Sequence, residues 1–228
     1  MIIYAIVGTS EDYKKGTGNF QHKVRFEELS GEPCLVIHHT QISLDLVESL
    51  QPKALLLSGF GRSFQEFDLS TFYPLNDVLH QTDIPTIALC GSHQLIACLF
   101  SVDIRKADSL EDQPMRRLRP GEPDVSPTGY HPGYFKENGF YPVTIVRDDP
   151  LFEGLSNPFM VREAHYCEVK ALPPEFELLA STEACPIQAM KHRDRILYGT
   201  QFHPETYIEA YPDGKTVLSN FFRIADIR

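Results

Sequence analysis

The stretch ALCGSHQLIA, residues 88–97, closes the apolar run TIALC (86–90) with a cysteine set between small residues. It then continues as GSHQLIACLF, whose apolar residues fall at helical spacing. A strand entering Cys90 and a helix leaving it place the thiol in a strand-to-helix turn. Small residues two before and two after it, Ala88 and Ser92, relieve crowding there, the arrangement of a nucleophile elbow. The free N–H groups at the amino end of that helix favour a thiolate. The N–H of Gly91 would be placed to hold a developing oxyanion. A free cysteine is also among the most often buried residues, so the alternative is a thiol that merely fills a core.

Outward from this turn, IIYAIV (2–7), CLVIHH (34–39) and ALLLS (54–58) repeat the short apolar run. HKVRFEEL, ISLDLVESL and FDLSTFYPLNDVLH lie between the runs and carry apolar residues at helical spacing. Continuous apolar strands separated by helices predict a mainly parallel α/β sheet covered on both faces. ALLLS and TIALC end in SGFG and CGSH, and the carboxyl edge of such a sheet is where sites are built. The pattern lapses over 103–140, a loop-rich insertion rich in Pro, Gly and charge. Its Arg105, Lys106, Arg116, Arg117 and Arg119 suit either a lid or anion-recognition loop or a solvated excursion. YPVTIV (141–146), FMVREAHYCEV (159–169), FELLAS (176–181), IQAMKH (187–192) and RILYGTQF (195–202) then follow with few helices between, which predicts antiparallel pairing. KTVLSNFFRIADI predicts a final helix. With no internal repeat or linker, the expectation is a single domain over 1–228.

The net charge of −10 argues against nucleic acid or a membrane surface as partner. No apolar run reaches the length of a bilayer span, and no basic stretch precedes the first one. Five cysteines (Cys34, Cys90, Cys98, Cys167, Cys185), odd in number and without a CxxC pair, fit a reducing compartment. A cytoplasmic location is expected.

A thiolate nucleophile needs a proton shuttle, usually oriented by a third group. GTQFHPE (199–205) offers His203 and Glu205, two apart, which an extended backbone would put on one face. Taken alone, His-Pro-Glu is equally a surface turn.

ALCGSHQ together with YGTQFHPE resembles the class I (triad) glutamine amidotransferase domain, of the stand-alone, GMP-synthase-glutaminase-like kind. That family carries a G-x-C-x-G-x-Q elbow and a late G-x-Q-F-H-P-E segment, with a flavodoxin-like topology. The resemblance implies Cys90 as nucleophile, His203 as acid/base and Glu205 as its orienting partner. LLLSGFGRS resembles the family's S-G-G-P-x-S segment, implying Phe60 and Gly91 as oxyanion donors and Gly59 beside the substrate. Gln94 matches the elbow glutamine of the substrate pocket, and EAHYCEV resembles S-H-x-D-x-V, with His165 on the matching histidine and Tyr166 next to it.

The implied reaction releases ammonia from glutamine through a γ-glutamyl thioester and hands it to a synthase subunit, since the chain has no GxxxxGK[ST] loop. This sequence departs from the family at Ala88 and Ser92 (for Gly), Phe60 and Gly61 (for Gly-Pro), and Ala164 and Cys167 (for Ser and Asp). The departures leave open a γ-glutamyl hydrolase acting on another γ-glutamyl compound, or a degenerate binding module. They also leave His165 open as a strand histidine bonded to backbone, and Tyr166 as a packing residue. His38 and His39 end a strand, and His93 is expected one residue off the inward face of the elbow helix. No histidine set shows a pattern such as HExxH, so neither a catalytic metal nor a cofactor is expected.

Overall fold

The early apolar runs become strands because each is buried on both sides. A computed structural model describes residues 1–16, 19–125 and 130–228. β1 (Ile2–Ile6), β2 (Cys34–His38), β3 (Leu55–Leu57) and β4 (Thr86–Leu89) run parallel in the order β2-β1-β3-β4. Alternate residues feed two cores. Ile2, Tyr4, Leu56 and Ile87 face α2 (Asn19–Ser30) and α6 (Asp213–Ile224), whose Phe26, Leu218, Phe221 and Phe222 fill that side. Ile3, Ala5, Leu55 and Leu57 face the opposite core, formed with Leu75 and Val78 of α4 (Tyr73–Gln81) and Leu95 and Ile96 of α5 (Gly91–Leu99). α3 (Leu44–Leu50) is capped by the Ser43 hydroxyl, which accepts the Leu46 N–H.

The second half is antiparallel, as its short strands predict. β5 (Glu137–Ile145), β6 (Phe159–His165), β7 (Phe176–Ser181), β8 (Ala189–His192) and β9 (Leu197–Thr200) extend the same sheet in the order β4-β9-β8-β7-β5-β6. β9 lies parallel to β4, with Leu89 opposite Thr200. The chain thus returns from its last strand beside the elbow strand, in the position a fifth parallel strand takes in a flavodoxin-like sheet.

Three expectations are corrected. The strand expected from Tyr141 starts at Glu137, inside the supposed insertion. A short helix α1 (Ser10–Lys15) forms where the sequence reading saw only a strand's tail; Thr9 and Asp12 close a capping box at its start. Residues 126–129 of the 103–140 insertion lie outside the described residues. No helix among the described residues is long and apolar enough to cross a membrane.

Candidate functional site

At the carboxyl edge of β4, Cys90 adopts φ 48° and ψ −110°, a backbone state that non-glycine residues rarely accept. Such strain persists only where surrounding bonds impose it. Here the Cys90 N–H donates to Thr200 O at 2.7 Å, and its carbonyl accepts the Gln94 N–H at 3.2 Å. The buried Ser92 hydroxyl, where the family pattern has glycine, donates to Ser58 O at 2.5 Å. Ser58 Oγ in turn accepts the Val7 N–H at 2.9 Å. The elbow helix, the end of β3 and the end of β1 are tied together through these bonds.

The loop after β3 approaches so closely that two glycines are required. A Cβ on Gly59 would lie 2.7 Å from His203 Cε1 and 3.1 Å from Cys90 Cβ. A Cβ on Gly91 would lie 2.7 Å from Phe60 O and 2.8 Å from its ring. The Phe60 ring therefore lies over the first turn of α5, packed edge-on against Phe64 and Phe67. We expect Gly59→Ala to cut turnover about 100-fold, the scale of an ångström-sized misplacement of reacting groups. Steady-state kinetics beside a thermal melt will check this; an unchanged rate would show that the loop yields freely.

His203 and Glu205 do not share the face of an extended segment, as the sequence reading expected. Pro204–Thr206 form a 3-10 turn directly after β9, and across it His203 Nδ1 lies 2.7 Å from Glu205 Oε1. The His203 N–H donates to Arg162 O of β6 at 2.8 Å. Arg25 donates to the Glu205 carbonyl, and α6 presses Gly214 onto Pro204, where a Cβ would meet the Pro204 carbonyl oxygen at 2.5 Å. The His203 side chain also reaches hydrogen-bonding range of the Cys90 side chain. Burial alone would push His203 down, but Cys90 and Glu205 outweigh it and hold the imidazole well above its ordinary value. Burial pushes the Glu205 carboxyl up, and His203 more than reverses that, leaving it lowered.

Around the sulfur lies a group of amides that the sequence reading only partly found. Gln201 Nε2 lies 3.6 Å from Cys90 Sγ, and its Oε1 accepts from Gln94 Nε2 at 3.0 Å. Gln94 Nε2 also donates to Cys167 O at 2.8 Å. Gln201 stood in the quoted GTQFHPE stretch without a role; its place in that segment was the available signal. Ala164 O lies 3.9 Å from Cys90 Sγ. A cleft of about 610 Å³ opens along Gly59, Phe60, His203 and Glu205, and another of about 400 Å³ reaches Gln94 from the side of Leu110 and Val169.

The remaining candidates fall away from the sulfur in function. His165 is buried, with Nδ1 2.9 Å from Cys167 O and Nε2 2.8 Å from Glu137 Oε2, so its ring is turned into the protein. Burial alone would lower its pKa, but the Glu137 and Glu163 carboxylates lift it to about 10. As a side-chain ligand of a substrate, His165 is corrected: both ring nitrogens are engaged. Tyr166 meets Tyr130 edge-on, and Lys136 lies over its ring. His93 is fully buried against Gly199, with Nε2 3.1 Å from Ile187 O, and burial pushes its pKa down to about 3. The expectation that it points off the inward face is therefore wrong. The insertion's cations are paired: Arg105 with Asp77, Lys106 with Asp103, Arg116 with Glu122 and Arg119 with Glu183, while Arg117 stacks on Tyr134. This does not favour anion recognition.

The family profile of Glutamine amidotransferase class-I matches residues 23–225. The chain is 30% identical over 212 residues to a glutamine-hydrolyzing GMP synthase subunit of Methanobrevibacter smithii, covering 92% of this chain and 93% of that protein. It is 31% identical over 209 residues to the corresponding subunit of Archaeoglobus fulgidus, covering 91% and 93%. Among solved structures, a putative GMP synthase subunit protein of Thermoplasma acidophilum superposes with a TM-score of 0.70 at 23% identity, over 99% of this chain and 94% of that one. The glutaminase domain of Trypanosoma brucei CTPS, with bound acivicin, superposes with a TM-score of 0.65 at 17% identity, over 99% and 93%.

Proposed function

Because this chain belongs to the class-I glutamine amidotransferase family, we propose that it hydrolyses the γ-amide of glutamine through a thioester on Cys90. The observation that carries the reading is the chain of contacts Cys90–His203–Glu205 at the carboxyl edge of β4 and β9. Cys90 Sγ attacks the amide carbon as a thiolate while His203 holds the proton as imidazolium. The amide N–H groups of Phe60 and Gly91 bear the oxyanion; among the described residues neither has an acceptor of its own. His203 then gives its proton to the leaving nitrogen, and ammonia departs. A water enters, His203 takes one of its protons, and hydroxide attack on the thioester releases glutamate and restores Cys90. Glu205 keeps the ring oriented throughout.

Substrate holding falls to Gly59, Gln94 and the backbone of 164–167. Both Gln94 donors are directed at Cys167 O and Gln201 Oε1, which leaves Gln94 Oε1 to accept from the substrate's ammonium group. Two of the relatives above are named as the glutamine-hydrolyzing subunit of GMP synthase, and the described fold is one sheet with its covering helices. A separate synthase subunit is therefore proposed as the ammonia acceptor, with 1–228 acting as a single glutaminase domain.

An electrophilic glutamine analogue, a diazo-ketone, tests this without the partner. A single adduct on Cys90, suppressed by excess glutamine and located by peptide mass, is expected. Alkylation of Cys90 by a small reagent with no analogue adduct would overturn glutamine as substrate. It would favour the γ-glutamyl hydrolase reading, for which Ala164 and Cys167 are the specific observation.

A further inference from the structure

Three donor atoms converge on the β5–β6 hairpin in a pattern that the triad does not use. Glu163 and His165 are alternate residues of β6 and share one of its faces, and Glu137 of β5 is the cross-strand partner of His165. All three are buried, and their donor atoms lie within 4.8 Å of one another. His165 Nδ1 faces the Cys167 carbonyl oxygen, which can only accept, so Nδ1 carries a proton. Nε2 then faces two carboxylate oxygens, Glu137 Oε2 at 2.8 Å and Glu163 Oε2 at 3.2 Å. Something positive has to lie among them.

A single proton does not satisfy the group. On Nε2 it bonds Glu137 and leaves both oxygens of the fully buried Glu163 without a hydrogen-bond partner. Among the described residues no lysine or arginine pairs with either carboxylate. Arg162 is adjacent, but it donates to the carbonyls of Gly139 and Glu163 and to Asn138 Oδ1. Lys136 turns to Asp124 and the Tyr166 ring. An unpaired buried carboxylate is among the costliest arrangements a fold can hold.

We propose that Glu137, Glu163 and His165 form a binding site for one divalent cation of the zinc type. One imidazole nitrogen and two carboxylates are a zinc donor set, and together they neutralise its charge. The outer partners are those a metal-bound histidine needs. Nδ1–H donates to a backbone carbonyl, which leaves Nε2 as the ligating atom, and Gln188 Nε2 steadies Glu137 Oε2 at 3.2 Å. The ion displaces the Nε2 proton into solvent, with no change of oxidation state. It pins β6, whose Arg162 carbonyl holds the His203 N–H and whose Ala164 carbonyl faces Cys90. The site is a positioning one and stands whether or not glutamine is the substrate.

The test uses the full chain carrying Cys90→Ala, so that the triad thiol cannot take metal. After loading with zinc chloride and dialysis, elemental analysis and native mass should show one zinc per chain. Glu163→Gln and Glu137→Gln, added separately, should each weaken zinc retention by about tenfold or more. Chelation should lower the melting temperature of the parent and leave that of Glu163→Gln unmoved. No zinc in the parent, or equal zinc in parent and both amide variants, overturns the proposal. If an amide variant fails to fold, the melting shift of the parent on chelation still decides, and its absence overturns the site.

Discussion

Cys90→Ala is expected to lower kcat by at least about 10⁴-fold while the fold survives. The loss is that large because no second nucleophile among the described residues faces His203, and without one the reaction keeps only the oxyanion donors and binding. Stability should change little. The sulfur's side-chain contacts are long ones, 3.6 Å to Gln201 Nε2 and 3.9 Å to Ala164 O, and alanine bears the same φ of 48° as cysteine. His203→Ala should cost nearly as much. The double variant should be no worse than either single one, because the two groups act as a unit. The measurement is ammonia release with the synthase subunit present, beside circular dichroism of each variant. Full activity in either single variant would falsify the assignment of Cys90 and His203.

Much of this site was legible in the sequence because its parts sit on local patterns. TIALC followed by GSHQ marks a strand end running into a helix, and β4 and α5 meet at Cys90 as that pattern requires. Long-range placement was not legible in this way. That β9 slots beside β4, bringing Thr200 to the Cys90 N–H, follows from sheet pairing across more than a hundred residues of chain. Only the family resemblance anticipated it.

The misses have a common physical cause. Helical periodicity placed His93 off the inward face, but β8 and β9 close over the side of α5 where it lies. Glu163 and Glu137 read as ordinary charged residues of exposed strand faces. Their burial comes from the β5–β6 register, which sets Glu137 opposite His165. Alternation along one strand cannot show what covers its face. The three-residue turn at Pro204 was hidden for a related reason: proline breaks an extended run without saying which turn replaces it.

Glu205→Gln separates an orienting carboxylate from a merely structural one. An amide can still accept from Nδ1, so the ring keeps its place while the negative charge is lost. We expect kcat/KM to fall about 10³-fold, between the cost of losing the nucleophile and that of losing one bond. The pH profile carries the sharper signature. His203 is held above its ordinary value against the pull of burial, with Cys90 and Glu205 supplying the opposing charge. A raised basic group keeps its proton until pH rises through its folded value, so the imidazolium needed to protonate the leaving nitrogen is lost on the alkaline side. Removing the Glu205 charge lowers that value, and the alkaline limb of kcat/KM should move toward lower pH in Glu205→Gln. The acid side moves the other way in origin: Glu205 is held low, so its help to the wild-type enzyme is present at neutral pH and is lost only as pH falls into the carboxylate range. Because Cys90 and His203 titrate together, the limb belongs to the pair, and the comparison needed is the shift between wild type and variant. Profiles between about pH 6 and pH 10 would show it. A rate loss with the alkaline limb unmoved would mean that Glu205 only props up the turn at Pro204.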